Sequence, residues 1–172
     1  MFKKIKKQIL SFFYAIRGIF SAFVTEPHMR FHLVASFYVV FFALKFYTLS
    51  PGQMSSLLLC IGSVFIAELV NTAIERLCDT VTKEYSDNIK FVKDVAAGAV
   101  LVAAIISVAV AFNILYKPEI LRYIWLCIVS YPSFAIKLSA TAIVSILFIA
   151  IDPMVYINPI RKLFSKKEEK GK

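Results

Sequence analysis

Glycine is scarce in this chain. Five occur in 172 residues, at positions 18, 52, 62, 98 and 171. That spacing excludes the glycine-rich loop that cradles phosphates in soluble nucleotide-binding proteins. No HExxH pair and no protein-kinase signature occurs either. Cysteine is also sparse: Cys60, Cys78 and Cys127 form no CxxC and no metal-like spacing, and read as small apolar residues of helices. Acidic residues number 11 against 20 Lys and Arg, a net charge of +9. A basic excess points to nucleic acid or to an anionic membrane surface. What is abundant decides between them. Hydrophobic residues make up 59% of the chain and 16 are Phe, so a single membrane domain is expected. The charged start "MFKKIKKQIL" leads into an apolar stretch broken by Arg17, with no small-residue cleavage site, so a cleaved signal is not expected. No internal repeat is visible, and the tail "SKKEEKGK" alone is of low complexity.

Residues 5–25 alternate an apolar stripe (Phe12, Ile16, Ile19, Phe20, Phe23) with a polar one (Lys7, Ser11, Tyr14, Gly18, Ser21, Thr25). This predicts an amphipathic helix lying in the membrane interface. Thr25 or Glu26 can cap the next helix, and Pro27 suits its first position. Apolar runs predict spans at about 29–48, 54–78 and 94–116, with "LSPGQ" a turn and polar residues 79–93 a loop with a helical approach. In the third span Ala99, Ala103, Ser107 and Ala111 recur every four residues, a stripe that permits close helix contact. Beyond residue 117 the segment 120–136 is short and interrupted by Pro132, whereas about 138–157 is long enough to span. The positive-inside rule favours an even number of spans, which leaves 16 of the 20 Lys and Arg on the cytoplasmic side. Segment 120–136 is then an interfacial or re-entrant piece.

The stretch "AELVNTAIERLCD" places Glu68, Asn71, Glu75 and Asp79 inside or against an apolar run. Their spacing sets them within an arc of about 80° on one helix face, opposite Ile66, Leu69 and Ala73. At ~1.5 Å per residue, Glu68 lies about 16 Å deeper than Asp79. A carboxylate at bilayer depth costs about 2.5–3.5 kcal/mol, so it needs partners. Three readings compete: a structural polar contact between helices, a proton or ion relay, and metal-dependent chemistry at the interface. The acidic ladder stops at Glu68 and opens towards one side, which favours a pocket over a channel. Glu26 is expected at the depth of Glu75, where two carboxylates could share one Mg²⁺, a hard cation that takes oxygen ligands. Glu84, Lys93 and Asp94 follow just above, and Lys93 is a cation suited to phosphate.

"AIRGI", "TEPHMRFHL", "ELVNTAIERLCD", "KEY" and "VKDVAAGAVL", in this order over about residues 5–116, resemble the small bacterial membrane lipid kinases. This is the prokaryotic diacylglycerol kinase and undecaprenol kinase family, with signature E-x-x-N-[ST]-A-I-E-x-x-x-D. The resemblance implies an all-α integral membrane fold with an N-terminal interfacial amphipathic helix and a three-span core, assembled as a homotrimer with sites between subunits. Residues 1–117 would form this lipid kinase domain. Residues 118–172 would be an extension carrying an additional C-terminal transmembrane helix and a basic cytoplasmic tail. It implies that Glu68 is the general base for the lipid hydroxyl and that Glu26 and Glu75 bind Mg²⁺. It implies contacts to ATP, the phosphoryl donor, from Lys7, Tyr14, Glu26, Glu75, Glu84, Tyr85, Ser86, Lys93 and Asp94. Arg30, Asn71 and Asp79 would complete the polar cluster. Ser86 stands where many members have His, and Pro27 follows the metal glutamate. "MRFHL" and "KDVAAGAV" resemble the undecaprenol branch, with diacylglycerol the alternative substrate. The expected place is a bacterial cell membrane with both termini cytoplasmic. A proton- or ion-conducting or structural membrane protein is the alternative of another class.

Overall fold

The computed structural model describes residues 2–82, 84 and 86–151, with side chains from Ile5 onward. Tyr85, Asp152, the end of the expected fourth span and the basic tail lie outside the described residues. Six helices follow one another: α1 Phe2–Thr25, α2 Pro27–Phe46, α3 Pro51–Val81, α4 Asp87–Leu115, α5 Pro118–Ser130 and α6 Pro132–Ala150. No strand occurs among the described residues. Five of the helices are long and apolar enough to cross a membrane: α2, α3, α4, α6 and the Ile5–Thr25 part of α1. The protein is an all-helical integral membrane protein. α5, at 13 residues, is about 20 Å long and too short for a hydrocarbon core of about 30 Å.

Proline starts most of these helices, because its missing N–H costs nothing in a first turn. Pro27, Pro51, Pro118 and Pro132 each open a helix. At α3 the start is reinforced by a capping box: the Gln53 backbone N–H donates to Ser50 Oγ at 3.3 Å, and Ser50 N–H donates to Gln53 Oε1 at 2.9 Å. The "LSPGQ" turn is therefore confined to residues before Pro51. Two other expectations shift for related reasons. The polar stretch 79–93 is mostly helical: α3 runs on to Val81 and α4 begins at Asp87, so both helices project past their apolar parts. The C-terminal segment divides at Tyr131, not within 136–138. Pro132 starts α6 instead of interrupting a single piece, and moves that span to 132–150.

α3 and α4 form the principal hairpin. Ser107 Oγ on α4 donates to the Cys60 carbonyl on α3 at 3.2 Å, and to its own Ala103 carbonyl at 2.7 Å. Of the small-residue stripe, Ala103, Ser107 and Ala111 are half-buried, but Ala99 faces out, and Ala96 and Val100 are the buried residues of that turn. α2 crosses at the far end of the hairpin, where Ala43, Leu57 and Ile114 make a small apolar core. The Tyr47 hydroxyl ties the same end by donating to the Leu115 carbonyl at 2.6 Å. Burial, with Glu119 nearby, raises the Tyr47 hydroxyl above its ordinary pKa and keeps it a donor.

α6 runs antiparallel to α2 along its length. Phe134 packs its ring against Phe46 at 6.0 Å, Tyr38 meets Ser145 at 3.3 Å, and Arg30 donates to the Ile151 carbonyl. The described end of α6 thus returns to the side of the membrane where α1 meets α2. α1 packs only by its last turns, through buried Ala22 and the Phe23–Phe65 ring pair at 5.6 Å. Ala43 is 1% exposed, so the α2–α3–α4 crossing has no room for a larger side chain. Ala43→Leu is expected to cost about 1–3 kcal/mol of stability by overpacking. Reversible unfolding in mixed micelles measures this.

Candidate functional site at the polar end of α3

The buried stripe of α3 comprises Leu57, Val64, Glu68, Asn71, Thr72 and Cys78. Its upper half is apolar and its lower half polar, so one packing face changes character along the helix. The outward residues Ile66 and Ala73 are exposed, while Leu69 is half-buried. This reverses the pattern of a soluble helix, as expected where the outside is lipid.

Glu68 is 4% exposed. Its Oε1 lies 3.2 Å from Nε2 of His32, which α2 presents from the other side of the crossing. The imidazole supplies the partner that a carboxylate at this depth requires. Nearly one turn along, Asn71 Nδ2 donates to Glu75 Oε1 at 2.9 Å. The Asn71 Oδ1 is buried and has no hydrogen-bond partner among the described residues. Glu26, at the junction of α1 and α2, accepts from Thr25 Oγ1 at 3.0 Å and sits 3.4 Å from the Arg76 guanidinium. Arg76 also donates to Thr25 Oγ1. Arg30, 2% exposed, faces the end of α6, and its Nε lacks a partner among the described residues.

A cleft of about 690 Å³ opens where α3 ends and α4 begins. It brings together the expected residues Asp79, Glu84, Ser86, Lys93 and Asp94, and adds Thr82, Ile89 and Lys90. Lys93 Nζ pairs with Asp79 Oδ1 across its wall. Lys7 and Tyr14 are exposed on the unpacked part of α1 and are not among the residues lining this cleft. Within one chain the expected set therefore falls into three places: the cleft, the α3 ladder with Glu26, and α1. Sequence reasoning missed His32, Arg76 and Lys90. His32 stood as a lone imidazole in an apolar run, which was the available signal.

Among the described residues no group of three or more His, Cys, Asp or Glu side chains is placed to hold a metal ion. Glu26, Glu75 and the unpartnered Asn71 oxygen are nonetheless all hard oxygen donors. Mg²⁺ commonly takes one or two protein carboxylates and completes its shell with phosphate and water. The donor chemistry fits that ion.

A buried carboxylate and a polar cleft thus occur on one bundle of apolar helices. Comparison with known proteins gives its class. The profile described as prokaryotic diacylglycerol kinase matches residues 13–115, and the chain belongs to this family of lipid kinases. It is 36% identical over 110 residues to the undecaprenol kinase of Bacillus subtilis (strain 168), covering 64% of this chain and 88% of that protein. It is 39% identical over 111 residues to a diacylglycerol kinase of Synechocystis sp. (strain ATCC 27184 / PCC 6803 / Kazusa), covering 64% of this chain and 63% of that protein. No solved structure matches.

His32 and Glu68 form a pair whose members sit on different helices, so each depends on the other. His32→Ala strands a buried carboxylate and is expected to cost about 1–3 kcal/mol. A double-mutant cycle with Glu68→Gln should show a coupling of about 0.5–3 kcal/mol, read from unfolding in micelles. A coupling near zero would mean that the two side chains do not interact.

Proposed function

We propose that the chain transfers the γ-phosphoryl group of ATP to the hydroxyl of undecaprenol, with Mg²⁺ as cofactor. The observation that carries this is Glu68 and its surroundings. An apolar groove of about 240 Å³ between α2, α3 and α4 reaches His32, the partner of Glu68. It is lined by residues such as Val39, Leu57, Val64 and Val108. A lipid chain lying there brings its terminal hydroxyl to the buried carboxylate from within the bilayer. Glu68 takes the hydroxyl proton, the oxygen attacks the γ-phosphorus, and ADP leaves. His32 orients the carboxylate. Phosphoryl transfer asks chiefly for positioning and for neutralisation of charge.

ATP approaches from the opposite side, at the cleft. Lys90 and Lys93 supply cations there, and Glu84, Ser86 and Asp94 line the rest. Tyr85 belongs to the same segment. Glu26 and Glu75, with the Asn71 oxygen, would hold Mg²⁺, which neutralises phosphate charge when bound. Freeing Glu26 for this role requires Arg76 to give way, because the two now face each other at 3.4 Å. Asp79 and Arg30 complete the polar surround.

A single groove reaching His32 suits a one-chain alcohol better than the two chains of diacylglycerol. The similarity to an undecaprenol kinase over 88% of that protein's length supports the same choice. Diacylglycerol is the second reading, favoured by the similarity to the Synechocystis protein. Lys7 and Tyr14 are exposed and do not line the cleft of their own chain. This supports a homotrimer in which α1 of one subunit completes the site of a neighbour. A bacterial cell membrane with both termini cytoplasmic accords with the Lys and Arg distribution and with the return of α6 to the Arg30 side.

Glu68→Gln should fold and bind nucleotide, while transfer falls by about 10²–10⁴-fold, the usual worth of a general base. Glu26→Gln and Glu75→Gln should each raise the Mg²⁺ concentration needed for half-maximal rate. Label transfer from γ-labelled ATP to lipid, measured across a Mg²⁺ series, checks both. Wild-type rates in Glu68→Gln would remove the base assignment. ATP-independent proton flux into sealed vesicles, without lipid phosphate, would favour a conducting protein instead.

A further inference from the structure

At the other end of the bundle, about 30 Å from Glu26 by the length of α2, a second set of groups converges from α2, α5 and α6. A cleft of about 400 Å³ is lined there by Lys45, Tyr123, Tyr131, Ser133 and Lys137, among others. No carboxylate lines it, and among the described residues neither lysine has an ion pair. Glu119, the acidic residue of α5, stands outside it. The Lys45 ammonium rests on aromatic faces, 4.1 Å from the centre of the Phe134 ring and 5.4 Å from that of Phe41. Such faces attract a cation but carry no net charge to neutralise it. Two uncompensated cations with three hydroxyls around them are suited to a phosphate group.

This cleft continues into a groove. A second space of about 200 Å³ shares Lys45, Phe134 and Lys137 with it, and is otherwise lined by Phe37, Phe41 and Leu138 with Tyr38 and Thr141. A third, of about 570 Å³, shares Phe37 and Thr141 with the second and extends to Leu33 and Val144. From Lys45 to Leu33 the α2 axis rises about 18 Å, close to the ~15 Å depth of one leaflet. A free phosphate has no use for such a groove, whereas one acyl chain fills it.

We propose that α2, α5 and α6 form a binding site for an anionic phospholipid in the leaflet opposite the acidic ladder. Lys45 and Lys137 pair with the phosphate of its headgroup, and one acyl chain lies along the α2–α6 groove. The lipid would brace α6 against α2. This site does not depend on the kinase reading, since it shares no residue with the polar end.

Trp125, the single tryptophan, lies on the face of α5 opposite the cleft residues Tyr123 and Cys127, so the reporter is moved: Trp125→Phe with Tyr123→Trp leaves one tryptophan on the cleft wall. Full-length protein in phosphatidylcholine nanodiscs is titrated with lipid carrying brominated acyl chains, either phosphatidylglycerol or phosphatidylcholine. Phosphatidylglycerol should half-quench this cleft tryptophan at a mole fraction roughly tenfold lower, equivalent to about 1.4 kcal/mol. Lys45→Gln with Lys137→Gln should abolish that preference, while Lys137→Gln alone should reduce it roughly threefold. The corresponding pair of Arg substitutions should keep it, and so should Lys117→Gln, a lysine at the same end but outside both clefts. Equal quenching of the cleft tryptophan by the two lipids with both lysines in place would overturn the proposal. An equal loss in Lys117→Gln would assign the effect to diffuse surface charge. Reversal by inorganic phosphate would assign the cleft to a soluble anion. Either result would also overturn it.

Discussion

The structure turns on a carboxylate that cannot stand alone in an apolar bundle. Glu68 sits almost wholly out of solvent, and His32 on α2 meets it. Desolvating an ionised group costs several kcal/mol unless a partner is held close. The crossing of α2 over α3 provides that partner and so fixes the rotation of both helices. From that rotation the rest of the α3 stripe follows: Asn71 and Glu75 on the inside, Ile66 and Ala73 towards lipid. The small residues of α4 then allow α3 and α4 to lie close, with Ser107 reaching the Cys60 carbonyl.

The bundle has two ends of different character. At one end, acids and arginines gather around Glu26, Glu75 and Arg30, beside a cleft walled by the α3–α4 turn. At the other, Ala43, Leu57 and Ile114 pack tightly, and Lys45 lies against aromatic rings. α6 joins the two ends, touching Arg30 at one and Phe46 at the other. An extension of this kind braces α2, the helix that carries His32. Residues 13–115, which span both ends of α2, α3 and α4, match the family of lipid kinases. At the opposite end α5 and α6, which lie beyond the matched residues, meet α2.

Much of this was legible in the sequence, for identifiable reasons. Long apolar runs specify spans because every backbone group must be paired inside the membrane. The spacing of Glu68, Asn71, Glu75 and Asp79 specified a face because helix geometry is rigid. Boundaries were less legible. Pro132 reads equally well as a break or as the first residue of a new helix, and only its neighbours decide. Residues 79–93 are polar, yet polar residues continue a helix readily once it has left the membrane. The contact between His32 and Glu68 was hidden for a different reason. It depends on how two helices rotate against each other, which no local pattern records. Arg76 was hidden likewise, since its partners Thr25 and Glu26 lie about fifty residues away in the chain.

In the proposed reaction a lipid hydroxyl arrives at Glu68 along one apolar groove. The most direct measurement offers undecaprenol and diacylglycerol together, in one detergent, to the purified protein with γ-labelled ATP and Mg²⁺. Label is expected chiefly in undecaprenyl phosphate. Label confined to phosphatidic acid would contradict the one-chain groove, and label in neither lipid would contradict the assignment of these substrates.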